Sequence, residues 1–171
     1  MAIEKEVKLK VPSAVPLKEF LLKEGGIYVG AEVQEDHYLD FDDLRIKKAG
    51  SALRIRKSGE KAKLTYKGPL LENKIKAREE IEAEVQDIDA LIKILERIGL
   101  KVKIIVKKVR ETIFYKGLNF EIDSVERLGD FLEVEVKDEE QLKIVKETVE
   151  RIGIKWDPII KSYAEMLEEL L

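Results

Sequence analysis

The stretch IEKEVKLK, residues 3–10, decides how the rest of the chain is read. It alternates as a strand does, with Ile3, Val7 and Leu9 on one side and Glu4, Glu6, Lys8 and Lys10 on the other. The wet face of an antiparallel sheet would look like this. So would a strand whose polar side meets a ligand. The other strands must separate the two readings.

The same alternation recurs along the chain. Leu53 and Ile55 oppose Arg54 and Arg56; Leu64 and Tyr66 oppose Lys63, Thr65 and Lys67. Ile81, Ala83 and Val85 oppose Glu80, Glu82 and Glu84. Phe120 and Ile122 oppose Glu121 and Asp123, and Leu132, Val134 and Val136 oppose Glu133, Glu135 and Lys137. A strand–helix unit with Glu-x-Glu in its strand appears three times, at Glu4/Glu6, Glu82/Glu84 and Glu133/Glu135. The units are too few and too interrupted for a solenoid and suggest an arrangement around a common centre.

Between the strands lie amphipathic helices, predicted at 16–26, 87–99, 139–153 and 161–171. Further extended segments are expected at 27–40, 51–57, 61–68, 75–85, 101–115, 118–125 and 129–138. Ser58-Gly59 and Lys116-Gly117 read as hairpin turns, 42–50 as a short turn or single helical turn, and 69–74 as a loop. If the helices cover the apolar strand faces, the polar faces line the concave side of the sheet. A closed barrel of about eight strands has room inside for one small ligand and leaves no exposed edge. The expected fold is therefore α+β, an antiparallel barrel with helices outside, as one domain over residues 1–171.

Composition narrows the chemistry. The 171 residues are 44% hydrophobic and 39% charged, with 32 Lys and Arg against 35 Asp and Glu. That balance disfavours nucleic-acid binding through bulk charge. There is no cysteine, and His37 is the only histidine, so thiolate and His-rich metal sites are excluded. No secretory signal or membrane-spanning run is present, and no GxxxxGK[ST] loop. A cytoplasmic protein of thermophilic composition is expected.

Side chains at i and i+2 on a strand lie roughly 6.6 Å apart, so two carboxylates can reach one hard cation. Oxygen-only ligands suit Mg²⁺ or Mn²⁺ completed by waters and phosphate oxygens. Lys8, Arg54, Arg56, Lys67, Lys108 and Arg110 form a second set, suited to binding phosphate. Two blander readings stand beside a polyphosphate receptor: a solvated sheet face, and an internal network of ion pairs.

Several segments, in order, resemble one family. EKEVK (4–8) resembles the ExExK signature of the CYTH domain, the triphosphate tunnel metalloenzymes. QEDHYLD (34–40), ALRIRK (52–57), LTYKGP (64–69), REEIEAEV (78–85), KKVRETIFY (107–115), EIDSVERLGDFLEVEV (121–136) and KSYAEML (161–167) follow its pattern, closest to the class IV adenylate cyclase branch. Leu39 replaces an aromatic residue, and Val109 stands where many members carry a base. The resemblance implies an eight-stranded tunnel that binds a triphosphate with Mg²⁺ or Mn²⁺. Glu4, Glu6, Glu133 and Glu135 would be the main metal ligands, assisted by Asp123 and Glu82. Lys8, Arg54, Arg56, Lys67, Lys108 and Arg110 would bind phosphates and carry the catalysis. A homodimer fits the family likeness. Two reactions are implied: cyclisation of ATP to cyclic AMP and pyrophosphate, or hydrolysis of a thiamine, inorganic or nucleoside triphosphate. A non-catalytic polyphosphate or nucleotide sensor is a third reading.

Other residues read as structural. His37 falls off the Gln34–Asp36–Tyr38–Asp40 face, Trp156 reads as packing, and Ser162-x-x-Glu165 as a capping box. Asp36 and Asp40 suit a mouth-lining pair or a turn, and Lys161 and Tyr163 suit the closure of one tunnel end.

Overall fold

The computed structural model describes residues 2–71 and 75–171. Its elements are β1 (Ile3–Lys10), α1 (Ala14–Lys23), β2 (Ile27–Asp40), α2 (Arg45–Lys48), β3 (Ala52–Ser58), β4 (Lys61–Lys67) and β5 (Lys76–Val85). They continue as α3 (Ile88–Arg97), β6 (Lys101–Tyr115), β7 (Leu118–Val125), β8 (Gly129–Glu135), α4 (Glu139–Arg151) and α5 (Tyr163–Glu168). The strands close into an antiparallel barrel in the order β1-β5-β4-β3-β2-β6-β7-β8. Residues 72–74 of the predicted 69–74 loop lie outside the described residues.

The outward strand faces pack under the helices. α1 and α4 press Leu17, Leu21, Val145 and Val149 onto Val7, Leu9, Phe120, Leu132 and Val134, all 1% exposed or less. Truncating such a leucine to alanine costs about 2–5 kcal/mol. Gly26 follows α1 where a Cβ would lie 2.6 Å from Leu21 O and 2.8 Å from Ile113 Cγ2, so the backbone can turn there only without a side chain. α3 covers Leu39 and Ile55 with Leu91, Ile92 and Leu95. Trp156 packs against the first cluster, as expected.

Segment 27–40 is a single strand with register shifts between Tyr28 and Gly30 and between Tyr38 and Leu39. Two features differ from the sequence reading. β8 stops at Glu135 rather than running to 138, because Asp138 caps α4, accepting the Gln141 N–H at 2.9 Å. Helical cover is incomplete: Ile27, Val29, Val33 and Ile81 stand 63%, 63%, 71% and 57% exposed.

α5 has a different task from the other helices. Tyr163, Ala164 and Leu167 pack on Ile104, Val106, Val125 and Phe131. Those four residues share strand faces with Lys108, Asp123 and Glu133, by the two-residue period. α5 therefore stops the barrel interior at one end. The capping box predicted at Ser162 and Glu165 starts it.

Candidate active site

The barrel encloses a cavity of about 630 Å³. Strand register sets what faces it. Across β1 and β8, Glu6 stands opposite Glu135 and Lys8 opposite Glu133; across β7 and β8, Glu121 stands opposite Glu133. Two pairs of carboxylates are thus directly opposed on neighbouring strands. Like charges in that relation destabilise a sheet unless a cation lies between them. Glu4 adds to this wall from β1, and Glu80 from β5.

The protonation equilibria carry the same message. Burial, then the charge of Glu133, pushes the Glu6 carboxyl up. Burial raises Glu4 against the opposing pull of Lys67, with Glu80 and Glu133 adding to the rise. Glu135 is raised by burial and by Glu4 and Glu6. Glu121 is pushed up to about 7 by burial, with Glu133, Asp123 and Glu6 adding to the effect against Arg110. Glu133 is the exception. Burial opposes its charge, but Lys8, Arg110, Lys108 and Lys76 hold it well below the usual carboxylate range.

The basic side chains divide by what they touch. Arg56 donates from Nε and Nη2 to the two oxygens of Asp36, at 2.7 and 2.8 Å. Arg110 makes the same fork on Asp123, also at 2.7 and 2.8 Å, and reaches Glu121 through Nη1 at 3.0 Å. These are full charge-assisted hydrogen bonds. The lysines stand further off. Lys8 is 3.9 Å from Glu133, Lys67 is 3.6 Å from both Glu4 and Glu80, Lys76 is 3.3 Å from Glu6, and Lys108 is 3.6 Å from Asp36. They feel the carboxylates without being tied to them. Burial, then the charges of Arg110 and Arg56, brings Lys108 down to about 8. Lys8 is also held down, by burial and by Lys76.

Arg54 and Arg78 differ from the other cavity arginines. They are 6% and 9% exposed and line the cavity, yet neither hydrogen-bonds or ion-pairs with any side chain among the described residues. Arg54 Nε is a buried donor with no acceptor. A desolvated guanidinium without an anion is costly, so this region suits an anionic ligand.

The site residues expected from sequence are mostly brought together. Glu4, Glu6, Glu82, Glu133, Glu135, Lys8, Arg54, Arg56, Lys67, Lys108 and Arg110 all line the cavity. Glu82 sits near solvent, its side chain 37% exposed and 3.8 Å from Lys63. Asp123 does not line the cavity. It is fully buried and accepts from Arg110 through both oxygens and from the Tyr163 hydroxyl at 2.7 Å. Asp36 is likewise clamped: burial opposes its charge, but Arg56, with Lys108 and Arg54, holds its carboxyl well below the ordinary range. Asp40 takes the turn role, accepting the backbone N–H groups of Phe41, Ile46 and Lys47. His37 faces away, against Glu35 at 2.7 Å. At the stopped end, the Tyr163 ring lies 3.8 Å from Lys8 Nζ and 4.8 Å from Lys108 Nζ. Lys161 contributes its carbonyl, which accepts from Lys8 at 3.0 Å, while its ammonium pairs with Glu169 outside.

Sequence reasoning passed over Lys76, Arg78, Glu80 and Glu121, all cavity residues. Each has the same strand parity as a residue that was chosen, and that was the available signal.

The acidic wall fits a hard divalent cation in donor type, since every donor is a carboxylate oxygen. It is not a closed cage: among the described residues no three acidic side chains surround a common point. Such ions are commonly held by one or two carboxylates, with waters and substrate phosphates completing the shell. Among the described residues no helix is long and apolar enough to cross a membrane.

Comparison with known proteins agrees with the fold. The chain is 35% identical over 171 residues to a Methanocaldococcus jannaschii protein provisionally named adenylate cyclase, covering 96% of this chain and 98% of that protein. A solved Pyrococcus horikoshii protein superposes with a TM-score of 0.81 at 34% identity, covering 95% of this chain and 98% of the other. A Hippeastrum protein provisionally named adenylyl cyclase, described as having a dominant triphosphatase activity, shares the fold at 21% identity, with a TM-score of 0.77 and coverage of 99% and 96%. The CYTH domain pattern matches residues 2–155, and the chain belongs to the CYTH domain family.

Proposed function

We propose that this protein is a metal-dependent enzyme that binds a triphosphate in its tunnel, and that its reaction is the cyclisation of ATP to cyclic AMP and pyrophosphate. The observation that carries this reading is that both kinds of charge line one cavity. Opposed carboxylates on β7, β8 and β1 call for a cation, and Arg54 and Arg78, buried with no side-chain hydrogen bond or ion pair among the described residues, call for an anion. A metal–polyphosphate satisfies both. Apolar residues also line the cavity, among them Leu44, Ile46, Ala52 and Leu70. They suit an organic group attached to the phosphates better than a bare inorganic chain does.

Glu4, Glu6, Glu133 and Glu135 would hold a Mg²⁺ or Mn²⁺ ion. Such an ion supplies positive charge to the phosphate oxygens and to the developing leaving group. The chain's own residues do the rest. Arg54 orients phosphate oxygens through fixed donors. Arg56 and Arg110, held rigid by Asp36 and Asp123, present charge without reorganising. Lys8 and Lys67 add charge around the phosphate chain. In cyclisation the ribose 3′-oxygen bonds to the α-phosphorus and the bond to the β-phosphate's bridging oxygen breaks. Pyrophosphate leaves with the electron pair, and the 3′-hydroxyl gives up its proton. Lys108, brought down to about 8 by burial and by the charges of Arg110 and Arg56, would accept that proton in its neutral form, which gains population as pH rises toward 8.

Hydrolysis is the second reading. The same charges bind the same chain, and a water attacking the terminal phosphorus replaces the 3′-oxygen. The activity described for the Hippeastrum protein, which shares the fold, favours keeping it.

The test is to incubate the protein with Mg²⁺ or Mn²⁺ and, separately, ATP, thiamine triphosphate and tripolyphosphate. Cyclic AMP with stoichiometric pyrophosphate supports the cyclase. Orthophosphate release in its place assigns the hydrolase, and binding without turnover defeats both. Glu4→Gln and Glu133→Gln are expected to abolish metal-dependent turnover while far-UV circular dichroism stays native; wild-type rates in both would remove them from the mechanism.

A further inference from the structure

β7 carries two acids on one face, Glu121 and Asp123, and the barrel uses them differently. We infer that Glu121 is the β7 carboxylate that reaches the tunnel's cation, and that Asp123 is a positioning residue that fixes Arg110. This rests on the cation site proposed above.

Asp123 has little left to offer a metal. It has no exposed surface and is absent from the cavity wall. Its Oδ1 accepts from Arg110 Nε at 2.7 Å; its Oδ2 accepts from Arg110 Nη2 at 2.8 Å and from the Tyr163 hydroxyl at 2.7 Å. Turning it toward a metal would break these bonds and leave Arg110, itself 9% exposed, without its fork.

Glu121 is placed in the opposite way. Two residues earlier on the same strand, it shares the inward face and lines the cavity, its side chain 28% exposed. Only its Oε2 is engaged, by Arg110 Nη1 at 3.0 Å, and its Oε1 accepts no hydrogen bond among the described residues. It stands directly across the β7–β8 pairing from Glu133; Glu135 follows two residues later on β8, with Glu6 opposite it on β1. Arg110 already reaches both carboxylates, at 3.0 Å from Glu121 and 3.7 Å from Glu133, and a cation on the free Glu121 oxygen would relieve their like-charge opposition further. Arg110 then bridges the two functions, with its fork on Asp123 and its remaining nitrogen on Glu121.

The test measures Mn²⁺ binding to the intact chain, without nucleotide, by electron paramagnetic resonance of the free ion, and tripolyphosphate binding by calorimetry. Glu121→Gln is expected to weaken Mn²⁺ binding about tenfold or more. Asp123→Asn is expected to keep Mn²⁺ affinity near wild type while tripolyphosphate binding weakens, because Arg110 loses its fork. A merely structural defect would lower both together. Tyr163→Phe removes one bond to Asp123 and is expected to follow Asp123→Asn in milder form, so the inference stays testable if Asp123→Asn fails to fold. Wild-type Mn²⁺ affinity in Glu121→Gln overturns the inference, as does loss of Mn²⁺ binding in Tyr163→Phe. A wild-type protein that binds no Mn²⁺ overturns instead the reading of a cation site beneath it.

Discussion

Arg56 and Arg110 sit in forks on buried carboxylates, whereas Arg54 and Arg78 sit in the same cavity with no side-chain hydrogen bond or ion pair among the described residues. All four are buried or nearly so. The difference shows that a charged interior is not one network but two. One part is closed on itself and sets the geometry of the tunnel. The other is left open, with Arg54 and Arg78 making no hydrogen bond or ion pair to a side chain among the described residues. An internal salt-bridge network, one of the two bland readings of the sequence, describes the first part and not the second.

The largest effect that separates the two is on stability. Arg110→Met leaves the fully buried Asp123 with only the Tyr163 hydroxyl bonded to it and Lys108 at 3.9 Å, and a broken buried pair costs about 3–5 kcal/mol. A urea melt is expected to show that loss in its midpoint. A wild-type midpoint would mean that the fork contributes nothing and that the two pairs of arginines are alike. Next in size is Arg54→Gln or Arg78→Gln, which strands no carboxylate. The melting temperature is expected to hold or rise. Tripolyphosphate affinity should fall by about 10–100-fold, as expected for losing about 1.5–3 kcal/mol of charged hydrogen bonding. Calorimetry checks both variants, and retained affinity would remove these two arginines from anion binding.

The third effect is on pH dependence, and here the clamp and the wall have opposite signs. Asp36 has a depressed pKa, so it contributes stability above its unfolded value that is lost as pH falls through and below the ordinary aspartate range. Glu121, raised to about 7, keeps its proton in the folded state while the unfolded chain releases it. Stability therefore falls as pH rises from the ordinary glutamate value to about 7, and Glu4, Glu6 and Glu135 shift in the same direction. Mn²⁺ is expected to raise the melting temperature more at pH 8 than at pH 5. Equal shifts at both would mean that the acidic wall does not hold the ion. The smallest effect is Ser162→Ala. Loss of the capping box at α5 should cost about 1 kcal/mol in the same melt, with little change in anion affinity.

Much of this was legible from strand parity. Alternation placed Glu4, Glu6 and Lys8 on one face and Val7 and Leu9 on the other, and the barrel keeps that division. The same rule applied to β5 contains Lys76, Arg78 and Glu80, and applied to β7 it contains Glu121. They were passed over because Lys, Arg and Glu make up so much of the chain that parity alone does not rank them. Asp123 was placed on the correct face, but its burial was not readable. That depends on Arg110 from β6 and Tyr163 from α5 arriving at both of its oxygens.

Local sequence settled which side of each strand is polar, because a two-residue period depends only on backbone geometry. It also settled the helix starts at Asp87 and Ser162, where short side chains cap their own backbone. Tertiary structure alone decided which charges are clamped and which are open. Pairing depends on the register between strands far apart in the chain and on α5 stopping one end, and a charge's role follows from the partner it meets.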